Sequence, residues 1–87
     1  NGQRLRPSSA DPITITFKNA SLTNILSFVG MTSGITITYE KGFVDVPVAS
    51  VDVQKRTIEQ TLTQILSPHR LSYRVVNDHT SLVRRGR

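Results

Sequence analysis

The chain has no cysteine, no tryptophan and only two histidines among 87 residues. Without cysteine there can be no disulfide staple, no thiol nucleophile and no cysteine-ligated metal. This leaves the compartment open, because small periplasmic domains dispense with cysteine as readily as cytosolic ones. No apolar run approaches the roughly 18 residues needed to span a bilayer as a helix. The opening segment, NGQRLRPSSADP, holds no apolar stretch of the kind a signal peptide requires. Residues 1–12 therefore read as a flexible linker. Aromatic side chains are scarce too, three Phe and two Tyr, which leaves little material for stacking bases. A chain this short buries one modest core, so a single domain is expected over residues 13–83.

Acidic residues are outnumbered 6 to 11 by Lys and Arg, giving a formal charge of +5. That excess invites a nucleic-acid reading, but its placement argues against one. Arg4, Arg6, Arg84, Arg85 and Arg87 supply it from the two ends, and residues 84–87 read as a basic tail. Between residues 7 and 83, Lys18, Lys41, Lys55, Arg56, Arg70 and Arg74 are balanced by Asp11, Glu40, Asp45, Asp52, Glu59 and Asp78. Basic ends can attract a polyanion weakly through counterion release, but the body of the domain is neutral, and no specific nucleic-acid partner is expected.

What the sequence does contain is an internal echo. Shifting TITFKNASLTNILSFVGMTSGITITYE by 36 positions lays it without a gap over SVDVQKRTIEQTLTQILSPHRLSYRVV. Ile15 and Phe17 fall on Val51 and Val53, alternating like half-buried strands. Ser21 falls on Thr57 at the start of a helical pattern, and Thr57 with Gln60 has the capping-box form. Leu22, Leu26 and Val29 fall on Ile58, Leu62 and Ile65, joined by Ile25 and Leu66, and these spacings mark one helix face. Gly34 suits a left-handed helix end. It falls on Arg70, where Pro68 is expected to stop the second helix instead. Ile35, Ile37 and Tyr39 fall on Leu71, Tyr73 and Val75. Any two strand–helix–strand units with similar loops would share part of this pattern, and the architecture is the same on either account.

The expected order is β(13–17) α(22–32) β(35–39) β(48–53) α(58–66) β(71–76) β(80–83). Asn77-Asp78-His79 forms the last hairpin, and Pro47 marks a strand start or edge. The fold class is α+β: two βαβ units plus a C-terminal hairpin strand, with both helices packed on small sheets. Leu26, Val29, Leu62 and Ile65 should form the helix side of one core.

No catalytic constellation emerges. His69 and His79 lie in turns, with no second ligand at a metal-binding helical spacing. Glu59 sits in a first helical turn, where it favours the helix dipole, and Asp52 points outward from its strand. The glycines of the first helix do not form a strand-to-helix phosphate loop. A βαββαβ order with KGFVDVPV touches the RNA-recognition pattern, yet the stacking positions hold Asp45 and Val48 where rings are needed. No cofactor, metal or enzymatic activity is expected.

The run Phe17, Asn19, Ala20, Leu22, then Gly34 before Ile35, resembles the opening of the small amino-terminal domains of bacterial secretins, the outer-membrane channels of type II secretion and type IV pili. Ile58, Leu62, Ile65, Leu66, Leu71 and Tyr73 resemble the continuation, although Thr61 and Arg70 replace a usual alanine and glycine. The resemblance implies a non-enzymatic interaction module on the periplasmic side of the outer membrane. Its partners would be other copies in a ring and inner-membrane secretion or pilus proteins, with the membrane reached only through the rest of a longer protein. A related domain fronts TonB-dependent receptors that signal to a periplasmic anti-sigma regulator, and that function is the alternative. The outward polar residues expected to carry an interface are Lys55, Arg56, Gln64 and Arg74.

Overall fold

The computed structural model describes residues 4–8 and 11–85. Five strands and two helices follow in the expected order: β1 (Ile13–Ser21), α1 (Leu22–Ser33), β2 (Thr36–Tyr39), β3 (Pro47–Arg56), α2 (Ile58–Leu66), β4 (Leu71–Asn77) and β5 (Thr80–Arg85). Each helix starts where its cap dictates. Ser21 Oγ accepts from the Asn24 amide, and Thr57 with Gln60 closes a reciprocal capping box. At the other end of α1, Gly34 turns left-handed at φ 72° and its amide donates to Gly30 O. The second helix ends at Leu66, ahead of Pro68 as expected, but the turn that follows is not announced by the sequence. Pro68 sits inside a 3-10 turn, Ser67–His69, and Arg70 itself adopts φ 58°, the conformation of its counterpart Gly34.

The strands of each half do not pair with each other. β1 pairs antiparallel with β3 in a two-stranded sheet, while β2, β5 and β4 form a second sheet in that order. β5 runs parallel to β2 and antiparallel to β4. The 36-residue echo becomes a local two-fold in the first sheet. Ile15 pairs with Val53 and Phe17 with Val51, and exchanging the halves maps one pair onto the other. Thr16 and Asp52, which are equivalent positions, face each other on the axis, and Thr16 Oγ1 donates to Asp52 Oδ1 at 3.2 Å. The backbone repeats as well: the non-glycine residues Asn19 and Lys55, again 36 apart, share positive φ values of 55° and 54°. β5 has no counterpart and breaks the symmetry by inserting between the two closing strands.

Leu22, Ile25, Leu26 and Val29 of α1 meet Ile58, Leu62, Ile65 and Leu66 of α2 in one core, closed by Ile15, Val48, Val53 and Val83. The four helix residues expected to share a core do so. Thr61 is fully buried among them and donates its hydroxyl to Thr57 O at 2.7 Å, which removes the cost of an unpaired polar group.

Both presumed ends belong to the folded unit where the structure describes them. Leu5, placed by sequence in a linker, is only 6% exposed and joins the core. The Arg6 amide donates to Asp78 O, and the Ser8 amide to Ser33 O at 2.8 Å. Arg84 and Arg85, expected in a tail, extend β5, where the Arg85 amide donates to Glu40 Oε2 at 2.9 Å. Composition reads such a segment as polar and misses one apolar anchor. The remainder of the expected linker and tail, residues 1–3, 9–10 and 86–87, lies outside the described residues.

The loop before β3 reaches back to cap α1. Asp45 accepts from the Thr23 amide (3.1 Å), the Thr23 hydroxyl (2.8 Å) and the Val46 amide (2.9 Å). Desolvation would raise its pKa, but these hydrogen bonds, with one from Ser21, together hold it below the usual carboxylate value. A carboxyl with a depressed folded-state pKa stabilises above its unfolded pKa, and the gain is lost as pH falls through the folded value. Asp45→Asn is therefore expected to lower stability at pH 7 and to match the parent in acid, once the parent carboxyl is protonated. Urea melts at several pH values check this. An equal deficit at all pH values would assign the loss to shape instead of charge.

Candidate functional site

The four residues singled out by sequence do not form one patch. Lys55 sits in the left-handed bulge near the end of β3, its amide donating to Thr14 Oγ1 at 3.1 Å. Arg56 is exposed at the end of the same strand and shares a shallow groove along α2 with Glu59, Thr63 and Gln64. Arg74 is exposed on β4 opposite Leu82, in the other sheet. Gln64 is half-buried and structural: its Nε2 donates to Asp52 O at 2.7 Å, tying α2 to β3. The structure thus joins Arg56 with Gln64 and separates Lys55 and Arg74 from them.

The feature missed by sequence reasoning lies at the equivalent place in the first half. Gln64 shifted back by 36 is Phe28. Where α2 presents an amide that hydrogen-bonds β3, α1 presents a ring that can donate nothing to β1. Phe28 packs edge-on against Phe17 of β1, with ring centroids 5.5 Å apart and planes at 76°. It remains 38% exposed, and Met31, one turn on, is 75% exposed. Helix α1, LTNILSFVGMTS, carries no charge anywhere. Among the described residues, β1 has β3 on one side and no strand on the other. A strand edge beside an uncharged, partly apolar helix face can accept an added strand or another apolar surface. The comparison of Phe28 with Gln64 was available in the aligned halves, but its meaning depended on which helix face met which strand.

Chemistry is not gathered anywhere comparable. His79 Nδ1 lies 2.7 Å from Asp78 Oδ1, an exposed neighbouring pair in the last turn. Among the described residues no group of three or more His, Asp or Glu side chains is placed to hold a metal. Tyr39 and Tyr73 have raised pKa values, mainly through burial, with the charges of Asp45 and Glu59 adding to the effect. Both rings pack against the core. The outward positions of the β1–β3 sheet include Thr14, Thr16, Lys18, Ser50, Asp52 and Gln54, which offer no ring on which a base could stack. No helix among the described residues is long and apolar enough to cross a membrane.

No protein-family model and no curated protein sequence matches the chain. Among solved structures, the N0 domain of the type II secretin from enterotoxigenic Escherichia coli superimposes with a TM-score of 0.69 at 17% sequence identity. The match covers 91% of this chain and all of that one. The fold is therefore that of a secretin N0 domain.

Proposed function

We propose that this domain is a non-enzymatic protein-interaction module of a secretin, working on the periplasmic side of the outer membrane. It would pack against neighbouring copies and dock inner-membrane secretion components. The observation that carries this reading is the whole-domain likeness to a type II secretin N0 domain. It agrees with a surface that offers edges and an uncharged helix face in place of gathered chemical groups. The contact surface in this reading is the β1 edge with Phe28 and Met31; Lys55 and Arg56 at the end of β3 offer a second, charged contact, and Arg74 lies apart on β4. Stable complexes bury roughly 1,200–2,000 Å², and on α1 Phe28 and Met31 are the exposed large hydrophobics. The isolated domain is accordingly expected to be monomeric at micromolar concentration, and tethering copies in a ring would make weak contacts sufficient.

Met31→Asp and the double reversal Lys55→Glu/Arg56→Glu, placed in the full-length protein, test the reading. Met31 is exposed enough that the charge should leave the thermal melt of the isolated domain unchanged. Crosslinking to neighbouring copies or to inner-membrane components should fall several-fold. Unchanged crosslinking and unchanged export in both variants would remove the basis for this contact surface, and a stable ring formed by the isolated domain would overturn the expected monomer.

A further inference from the structure

The segment 4–8 behaves as a ligand of its own domain. Its hydrogen bonds and ion pair among the described residues are remote in sequence. Leu5 is buried in the core, Arg4 Nη2 lies 3.4 Å from Glu59 Oε1, Arg6 bonds Asp78 O, and Ser8 bonds Ser33 O through both its amide and its hydroxyl. The partners that receive it lie elsewhere in the chain, at the end of α1 (Ser33), in the first turn of α2 (Glu59) and in the β4–β5 turn (Asp78), and together with the arm they line one crevice. The arm joins β1 through Asp11 and Pro12, both exposed, and proline biases the backbone of the residue before it toward an extended conformation.

We infer that this crevice is an exchange site, in which residues 4–8 of one copy can replace those of a neighbouring copy. The occupant is defined by the structure itself, since the arm seated there already shows the chemistry that fits: one leucine anchor, two backbone donors and an arginine toward Glu59. Exchange leaves all of these contacts intact and only changes which chain supplies them, which is why swapping an arm is an inexpensive route to association. Closure within one chain competes through an effective concentration in about the millimolar range for a short tether. The single chain therefore closes on itself when dilute, and exchange becomes favourable only when copies are crowded. The biological setting for crowding rests on the secretin reading above, but the exchange itself is a property of the chain and is tested without it.

The absence of native cysteine makes the test clean. Ser8→Cys and Ser33→Cys are made in separate chains, mixed, and oxidised across micromolar to millimolar concentrations. Ser33 is only 5% exposed, so a thiol there meets another chain only through the crevice. A mixed 8–33 disulfide dimer should rise with concentration and fall at least several-fold when Leu5→Ala is added to the arm-donating chain. The double variant Ser8→Cys/Ser33→Cys in one chain should close internally when dilute, which confirms the geometry. Internal closure without any mixed dimer at millimolar concentration would overturn exchange. A mixed dimer indifferent to Leu5→Ala would overturn the anchored mode. Should the double variant not close, sedimentation of the unmodified domain takes its place: a dimer that grows at millimolar concentration and weakens with Leu5→Ala is expected, and a monomer throughout overturns the inference. Failure of the secretin reading would leave the disulfide result unchanged, so the two can fail separately.

Discussion

Replacing Leu62 with alanine is expected to cost about 2–5 kcal/mol, the range for truncating a buried leucine. Leu62 is fully buried in the middle of the core that α2 shares with α1. Its loss removes apolar contact on all sides, and the flanking β-branched Ile58 and Ile65 cannot easily collapse into the space because their χ1 angles are restricted. A domain of this size has only several kcal/mol of net stability to lose. Urea and thermal melts should show the midpoint falling sharply with little change in denaturant slope. A loss below about 0.5 kcal/mol would be what an exposed site gives, and would mean that α2 does not face the core.

Gly30→Ala is expected to destabilise by about 1–3 kcal/mol, the cost of forcing extra volume into a packed core. The direction is opposite to that given by helix propensity, which favours alanine over glycine inside a helix by about 1 kcal/mol. The structure reverses the sign through a close approach. A Cβ on Gly30 would sit 2.5 Å from Ile35 O and 3.1 Å from Ile37 Cγ1. The Ile35 amide also donates to Gly30 O at 2.9 Å, so the backbone cannot withdraw without losing that bond. Equilibrium unfolding of the variant decides between the two effects, and a stabilised Gly30→Ala protein would show that β2 lies farther from α1 than described.

These two sites divide what could be read in advance from what could not. The face on which Leu62 lies follows from the spacing of Ile58, Leu62 and Ile65, since a 3.6-residue period puts them on one stripe whatever the surroundings. The role of Gly30 could not follow from helix propensity, because the nearest atom that excludes a methyl group is Ile35 O, where the chain folds back after the Gly34 turn. The same division runs through the candidate site. Lys55, Arg56, Gln64 and Arg74 were selected as outward polar residues, and outwardness is all that periodicity reports. That Gln64 is spent on Asp52 O, and that Phe28 and Met31 lie open on the opposite helix, depends on which strand each helix covers.

Local pattern alone determined the order of elements, the Ser21 and Thr57 caps, the buried stripes of both helices and the 36-residue echo, because each arises from interactions within a few residues or from a repeat visible by inspection. The partnering of strands was decided only by the tertiary structure. Alternation in β1 says which side chains are inward but not that its partner is β3, and nothing near residue 80 announces that β5 will separate β2 from β4. The left-handed turn at Arg70 and the docking of Leu5 belong to the same class. Arg70 has no intrinsic preference for positive φ and adopts it where the packed units meet. Leu5 is one apolar residue in a polar stretch, and its burial depends on a core assembled from distant parts of the chain. Short-range periodicity encodes burial, whereas pairing and docking are set by contacts between residues far apart in sequence, and those exist only once the core has closed.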